Sequence, residues 1–146
     1  DKAFEILNKC LKIFEDKVGR NHNLTANVLL NIGYIYDKQR KYKEAEKYFK
    51  SSIDIKKTIL GNDNPELVNC YNGLASVCFH LGNLDHAIEK AKKAESIILK
   101  NFDDTHPALL DVYQNLIIIL HRRGDQKERD SYSEKYKNLA RRFKKN

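Results

Sequence analysis

The sequence predicts an all-α fold, an α-solenoid of antiparallel helical hairpins with seven helices. Three observations carry this expectation. Sliding the chain by 42 residues sets Gly19 on Gly61, Pro65 on Pro107, Leu74 on Leu116, Gly82 on Gly124, and Ala3 on Ala45 and then Ala87. Each period holds two runs whose apolar residues recur at three-to-four spacing, the signature of one buried helix face. Gly61, Gly82, Gly124, Pro65 and Pro107 fall between those runs. A helix pair repeated at a fixed period is a unit that buries its apolar face on its neighbours, since it cannot do so alone.

Residues 2–17 open the chain as a helix, with Ala3, Phe4, Ile6, Leu7, Cys10, Leu11, Ile13 and Phe14 at helical spacing. In the 42-residue register this is the second helix of a repeat (1–19) whose first helix is absent. The sequence holds no Met and begins inside a helical pattern, so it reads as a piece of something longer. Its edge at Phe4 and Leu7 is then expected to be partly uncovered, a candidate for self-association. Gly19 supplies the stop.

The next repeat, 24–61, places helices at 25–38 and 42–59, with Leu29, Ile32, Gly33, Ile35 and Tyr36 inward on the first. Ala45, Phe49, Ser52, Ile53 and Ile55 face inward on the second. Gln39-Arg40-Lys41 is the turn, and Arg40 stands where Gly82 and Gly124 stand in later turns. Repeat 64–103 follows with helices at 66–81 and 85–100, then repeat 106–146 with helices at 108–122 and 126–143. The loops Gly61 to Pro65 and Asp103 to Pro107 correspond, each setting Pro in the first helical turn behind a residue able to cap. Acidic residues there sit near helix N-termini, where the helix dipole favours them, which accounts for them without a metal. In the last helix Arg129, Ser133 and Tyr136 replace the Ala45, Phe49 and Ser52 series, as expected of a solvent-facing cap at or near the end of the array. All of 1–146 thus reads as a single array.

No run approaches the ~20 apolar residues of a membrane span, and no basic region followed by an apolar core opens the chain, so neither membrane insertion nor secretion is expected. Cys10, Cys70 and Cys78 are odd in number and lack paired metal spacing, which suits reduced thiols in the cytoplasm. The formal net charge of +7 is uneven, because residues 122–146 hold ten Lys and Arg against four Asp and Glu.

The residues themselves carry a family likeness. Leu29-x-x-Ile32-Gly33-x-x-Tyr36 followed by Ala45, Phe49 and Ser52 resembles the tetratricopeptide repeat (TPR). Tyr71-x-x-Leu74-Ala75-x-x-Cys78 with Ala87, Ala91 and Ala94 repeats it, and Tyr113-x-x-Leu116-Ile117-x-x-Leu120 is a degenerate third copy. The 42-residue period, the loop Leu60-Gly61-Asn62-Asp63-Asn64-Pro65 and the Asn beside Leu74 and Leu116 resemble the kinesin light chain type.

The resemblance implies a non-enzymatic scaffold, such as a cargo or adaptor module, that holds an extended peptide on a concave face lined by the first helix of each hairpin. The matching positions are Asn27, Asn31, Tyr34 and Lys38; Asn69, Asn72, Ser76, Phe79 and His80; and Gln114, Asn115, Ile118, His121 and Arg122, with Leu30, Asp37, Gly73 and Asp111 among them. Asn and Gln carry both a donor and an acceptor and can hold a peptide backbone at intervals. Gly73 and Ser76 are expected to leave room, and Tyr34, Phe79 and Ile118 to form apolar pockets. Phe79, a large aromatic on a polar face, is either a hot spot or a contact to a neighbouring helix. Lys38, His80, His121 and Arg122 lean the site toward an acidic peptide, while Asp37 and Asp111 oppose that lean. The rival function is nucleic-acid or anionic-surface binding through the basic C-terminal helix and its Arg141, Arg142, Lys144 and Lys145. No cofactor, metal or catalytic site is expected: there is no phosphate-binding glycine loop and no base–nucleophile pair, and His80 and His121 lack further ligands at compatible spacing.

Overall fold

The computed structural model describes residues 2–144, the side chains of Ala3 and Phe4 excepted. Among the described residues there are seven helices and no strands: α1 (Lys2–Lys17), α2 (Asn23–Lys38), α3 (Tyr42–Leu60), α4 (Leu67–His80), α5 (Leu84–Asn101), α6 (Ala108–Arg123) and α7 (Gln126–Phe143). The expected helices are all present, with ends shifted by at most two residues.

Chain neighbours pack in sequence, α1 on α2, α2 on α3, and so on to α7. The first helices also meet across repeats, α4 touching both α2 and α6, whereas Cα atoms of α3, α5 and α7 stay more than 8 Å from one another. The layer therefore curves, with α2, α4 and α6 on its inner side.

The turns follow the 42-residue register. Gly19, Gly61, Gly82 and Gly124 all have φ between 83° and 90°, and Arg40 takes φ 59° at the place of Gly82 and Gly124. His22, Asn64 and His106 are likewise equivalent, and each side chain accepts a hydrogen bond from the backbone N–H two residues on: Leu24 at 3.2 Å, Glu66 at 2.9 Å and Ala108 at 3.3 Å. Each repeat thus begins on a side-chain acceptor that meets a helix-entry donor left without a helical partner.

The core runs continuously from Ala45 in α3 to Leu139 in α7. Phe49 is its wedge. Fully buried, it lies in a slot between two glycines of the inner helices, such that a Cβ built on Gly33 or on Gly73 would stand 2.8 Å from its ring. Contrary to the expectation drawn from its place on the first-helix face, Gly73 therefore does not open space for a partner. Its missing side chain admits Phe49 from behind.

Two ionic contacts between repeats were unexpected. Lys56 is 1% exposed, and its Nζ donates to Asn27 Oδ1 at 2.7 Å, Asn23 Oδ1 at 3.3 Å and Glu66 Oε2 at 2.7 Å. Further on, the buried Glu95 accepts from Tyr132 Oη at 2.8 Å and Lys135 Nζ at 3.2 Å. Burying a charge is costly unless partners replace its water, and both sites supply them.

At the N-terminal edge Ile6 and Ile13 are 57% and 51% exposed and Leu7 is half-buried. The expectation on Phe4 lies outside the described side chains. Arg129, Ser133 and Tyr136 on α7 are half-buried, with Tyr132 and Leu139 as that helix's buried residues. Among the described residues no helix is long and apolar enough to cross a membrane.

Candidate partner-binding groove

The groove lies on the inner side, along α2, α4 and α6, and its two halves differ. Tyr34, Ser76 and Ile118 occupy one repeat position, 42 residues apart. Between α2 and α4, Tyr34 spans the gap: its Oη donates to the carbonyl oxygen of Asn69 at 2.9 Å, and its ring meets Phe49 edge-on at 5.1 Å. Burial, together with the negative potential of Cys70, Asp37 and Asp111, pushes the Tyr34 hydroxyl up to about 12, so it stays a donor throughout the ordinary pH range.

Between α4 and α6 the same position is Ser76, whose short side chain does not reach across as Tyr34 does. A hollow of about 220 Å³ remains, lined by Ser76, Phe79, His80, Asn115, Ile118 and Ile119. Ile118 is 46% exposed beside it, while Phe79 is half-buried and packs partly against the core. Phe79 is thus both wall of the hollow and contact to its neighbours. At the deeper end Asn115 Nδ2 donates to Asn72 Oδ1 at 2.6 Å, so one amide pair bridges α4 and α6. The opposite ends of that pair, Asn72 Nδ2 and Asn115 Oδ1, have no hydrogen-bond partner among the described residues.

The remaining expected residues are spread along the face. Asn27 is turned inward to Lys56. Asn31, Lys38, Asn69, Gln114 and Arg122 are exposed. His80 and His121 are not brought together: the His80 ring stacks on Tyr42 with centroids 4.5 Å apart, and His121 Nδ1 lies 3.2 Å from an Arg129 nitrogen. Asp37 is half-buried, and that burial pushes its carboxyl above the ordinary value despite the nearby His80. Among the described residues no group of three or more His, Cys, Asp or Glu is placed to hold a metal ion. On the basic helix Arg141, Arg142 and Lys144 are exposed, and Lys145 lies outside the described residues. Sequence reasoning missed Lys56 and Glu66. The signal was present, since the 42-residue register sets Lys56 on Ile98, a charge at an apolar position.

A curved stack of helical hairpins with an amide-lined inner face defines an interaction scaffold of the solenoid class. The tetratricopeptide repeat family profile matches residues 1–58. The fold is that of a tetratricopeptide-repeat solenoid, and the chain is similar to kinesin light chain proteins. Among curated relatives, Protein KINESIN LIGHT CHAIN-RELATED 3 of Arabidopsis thaliana is 27% identical over 116 residues, covering 80% of this chain and 18% of the relative. The Clustered mitochondria protein homolog of Homo sapiens is 24% identical over 117 residues, covering 80% of this chain and 9% of the relative. The chain therefore spans less than a fifth of the curated relatives it matches. Among solved structures, BtubC (BKLC) from P. vanneervenii superposes with a TM-score of 0.89 at 20% identity, over 99% of this chain and 57% of that one. A kinesin light chain-type protein of Podosopora anserina with nearly identical TPR-like repeats gives 0.80 at 17% identity, over 99% and 68%.

Proposed function

We propose that this chain is a non-enzymatic scaffold that binds an extended peptide segment of another protein along the face of α2, α4 and α6, as a cargo or adaptor module does. We group α2–α3, α4–α5 and α6–α7 as its three complete repeats and α1 as the second helix of an earlier one. The observation that carries the reading is the Ser76–Phe79–Ile118 hollow beside the Asn72–Asn115 pair. The hollow takes one apolar side chain. The spare donor of Asn72 and acceptor of Asn115 meet the backbone of the residue that carries it. His80, His121 and Arg122 on the same face favour acidic residues flanking that side chain, against Asp37 and Asp111. Free thiols at Cys10, Cys70 and Cys78 suit the cytoplasm.

The test is selection of binders from a displayed library of random twelve-residue peptides, followed by titration of the winners against Ile118→Asp and Asn72→Ala. Peptides with one large apolar residue should be enriched and should lose at least tenfold in affinity on Ile118→Asp, with circular dichroism unchanged. Winners that bind both variants as well as the wild type would place the site elsewhere.

A further inference from the structure

A second site, sharing no residue with the groove, emerges when the two later repeats are laid on one another. In the loop before α4, the Asp63 carboxylate is clamped by two lysines of α5: Lys93 Nζ donates to Oδ1 at 3.0 Å and Lys100 Nζ to Oδ2 at 2.5 Å. The two contacts hold its carboxyl below the ordinary carboxylate value. Moving 42 residues on, Lys93 becomes Lys135 and Lys100 becomes Arg142, so both cations persist on α7. Asp63 becomes Thr105, and the carboxylate is gone. Thr105 instead turns to its own loop, its N–H and Oγ1 both donating to Asp103 Oδ1, at 2.8 Å and 2.5 Å.

What remains is a hollow of about 360 Å³ that Lys135 and Arg142 both face, with Asn138 and Tyr113 on its wall. Lys135 is held in place by the Tyr132 and Tyr113 rings, 4.5 Å and 5.6 Å from its Nζ, and by one contact to Glu95. An ammonium has three donors, so further ones are left for a ligand. Arg142 makes no ion pair within 4.0 Å among the described residues, and its planar fork matches a carboxylate in two parallel bonds.

We infer that the Lys135–Arg142 hollow is a docking site for the carboxylate of an acidic side chain, Asp or Glu, supplied by a partner protein in the place that Asp63 fills within the chain one repeat earlier. Nucleic-acid phosphate fits less well. The occupant of the equivalent site within the chain is a carboxylate, and the Arg142 fork is offered the same two-oxygen geometry here.

The test exploits the internal copy. Replacing Asp104-Thr105 by Asn-Asp (D104N/T105D) rebuilds the Asn62-Asp63 pair at unchanged net charge and fills the site from within. A hexaglutamate peptide titrated into the wild type at low salt should bind, and the loop exchange should weaken it at least fivefold, as should Arg142→Ala. Lys127→Ala, which removes one charge from the other end of α7, should change it less than twofold. Thermal melts check that each variant is folded. Equal losses for Lys127→Ala and Arg142→Ala would show a diffuse basic surface and overturn the assignment, as would a loop exchange without effect. A hexauridylate that binds more tightly than the peptide and is indifferent to the loop exchange would overturn it in favour of nucleic acid.

Discussion

The two gaps between inner helices are built on one register and filled in opposite ways. Between α2 and α4, Phe49 enters a slot that Gly33 and Gly73 leave open, and Tyr34 closes the surface above it. Between α4 and α6, the equivalent of Phe49 is Ala91, the equivalent of Tyr34 is Ser76, and the place of Gly33 is taken by Ala75. Large-into-glycine packing gives a closed junction. Small-against-small packing lets the helices meet on alanine and leaves a hollow at the surface. The fold therefore has one closed junction and one open one, and the difference rests on a few side-chain volumes.

The sharpest way to break this contrast is to remove the wedge. Phe49→Ala should lower unfolding free energy by about 3–5 kcal/mol, because the slot between two helices cannot collapse without moving both. Ala91→Gly at the equivalent place should cost only about 1 kcal/mol. Urea unfolding of both variants makes the comparison, and equal losses would mean the two junctions are packed alike. Gly73→Ala approaches the same slot from the other side. Its Cβ would sit 2.8 Å from the Phe49 ring, and overpacking of this kind costs about 1–3 kcal/mol. Phe49→Leu should be destabilising alone yet recover part of that loss in the double variant, a coupling that a double-mutant cycle reads directly.

Converting the open junction into the closed one is the next step down in size. Ser76→Tyr places at the α4–α6 gap the residue that closes α2–α4. Peptide binding should fall at least tenfold, about 1.4 kcal/mol, with little change in melting temperature. Undiminished binding would show that the hollow between α4 and α6 is not where the peptide side chain sits.

The closed junction also contributes to the pH dependence of stability. Lys56 and Asn23 hold the Glu66 carboxyl below its ordinary value of 4.5. A carboxyl depressed on folding contributes stability above its unfolded pKa, and that contribution is lost as pH falls through the folded value. Melting temperature should therefore drop on acidification below about pH 4.5, and Glu66→Gln should lower it at neutral pH while flattening that drop. A Glu66→Gln profile parallel to the wild type would remove Glu66 from the account.

Periodicity, turn glycines and capping residues announced the helices, because each of those signals is local or recurs at a fixed spacing. The inner face could be placed for the same reason. The wedge could not, since the glycines that admit Phe49 lie 16 and 24 residues from it and belong to different helices. In sequence Gly73 accordingly reads as open space on the first-helix face. The hollow at Ser76 is half readable: the small residue is visible in the sequence, but its meaning depends on Tyr34 reaching Asn69 one repeat earlier, a contact no spacing reveals.

The smallest effect concerns the turn of the closed repeat. Arg40 has φ 59°, where its equivalents are Gly82 at 83° and Gly124 at 89°. A side chain in the left-handed region costs about 1–2 kcal/mol, because its Cβ crowds the carbonyl oxygen that follows. Glycine removes that crowding but gives back about 0.5–1 kcal/mol through the greater freedom of the unfolded chain. Arg40→Gly should therefore stabilise the protein by roughly 0.5–1 kcal/mol and raise the melting temperature by a few degrees. Arg40→Ala keeps the Cβ and should bring no such gain. Since Arg40 is exposed and ends no core contact, a gain shared by both variants would trace to its charge beside Lys38 and Lys41 and not to the backbone.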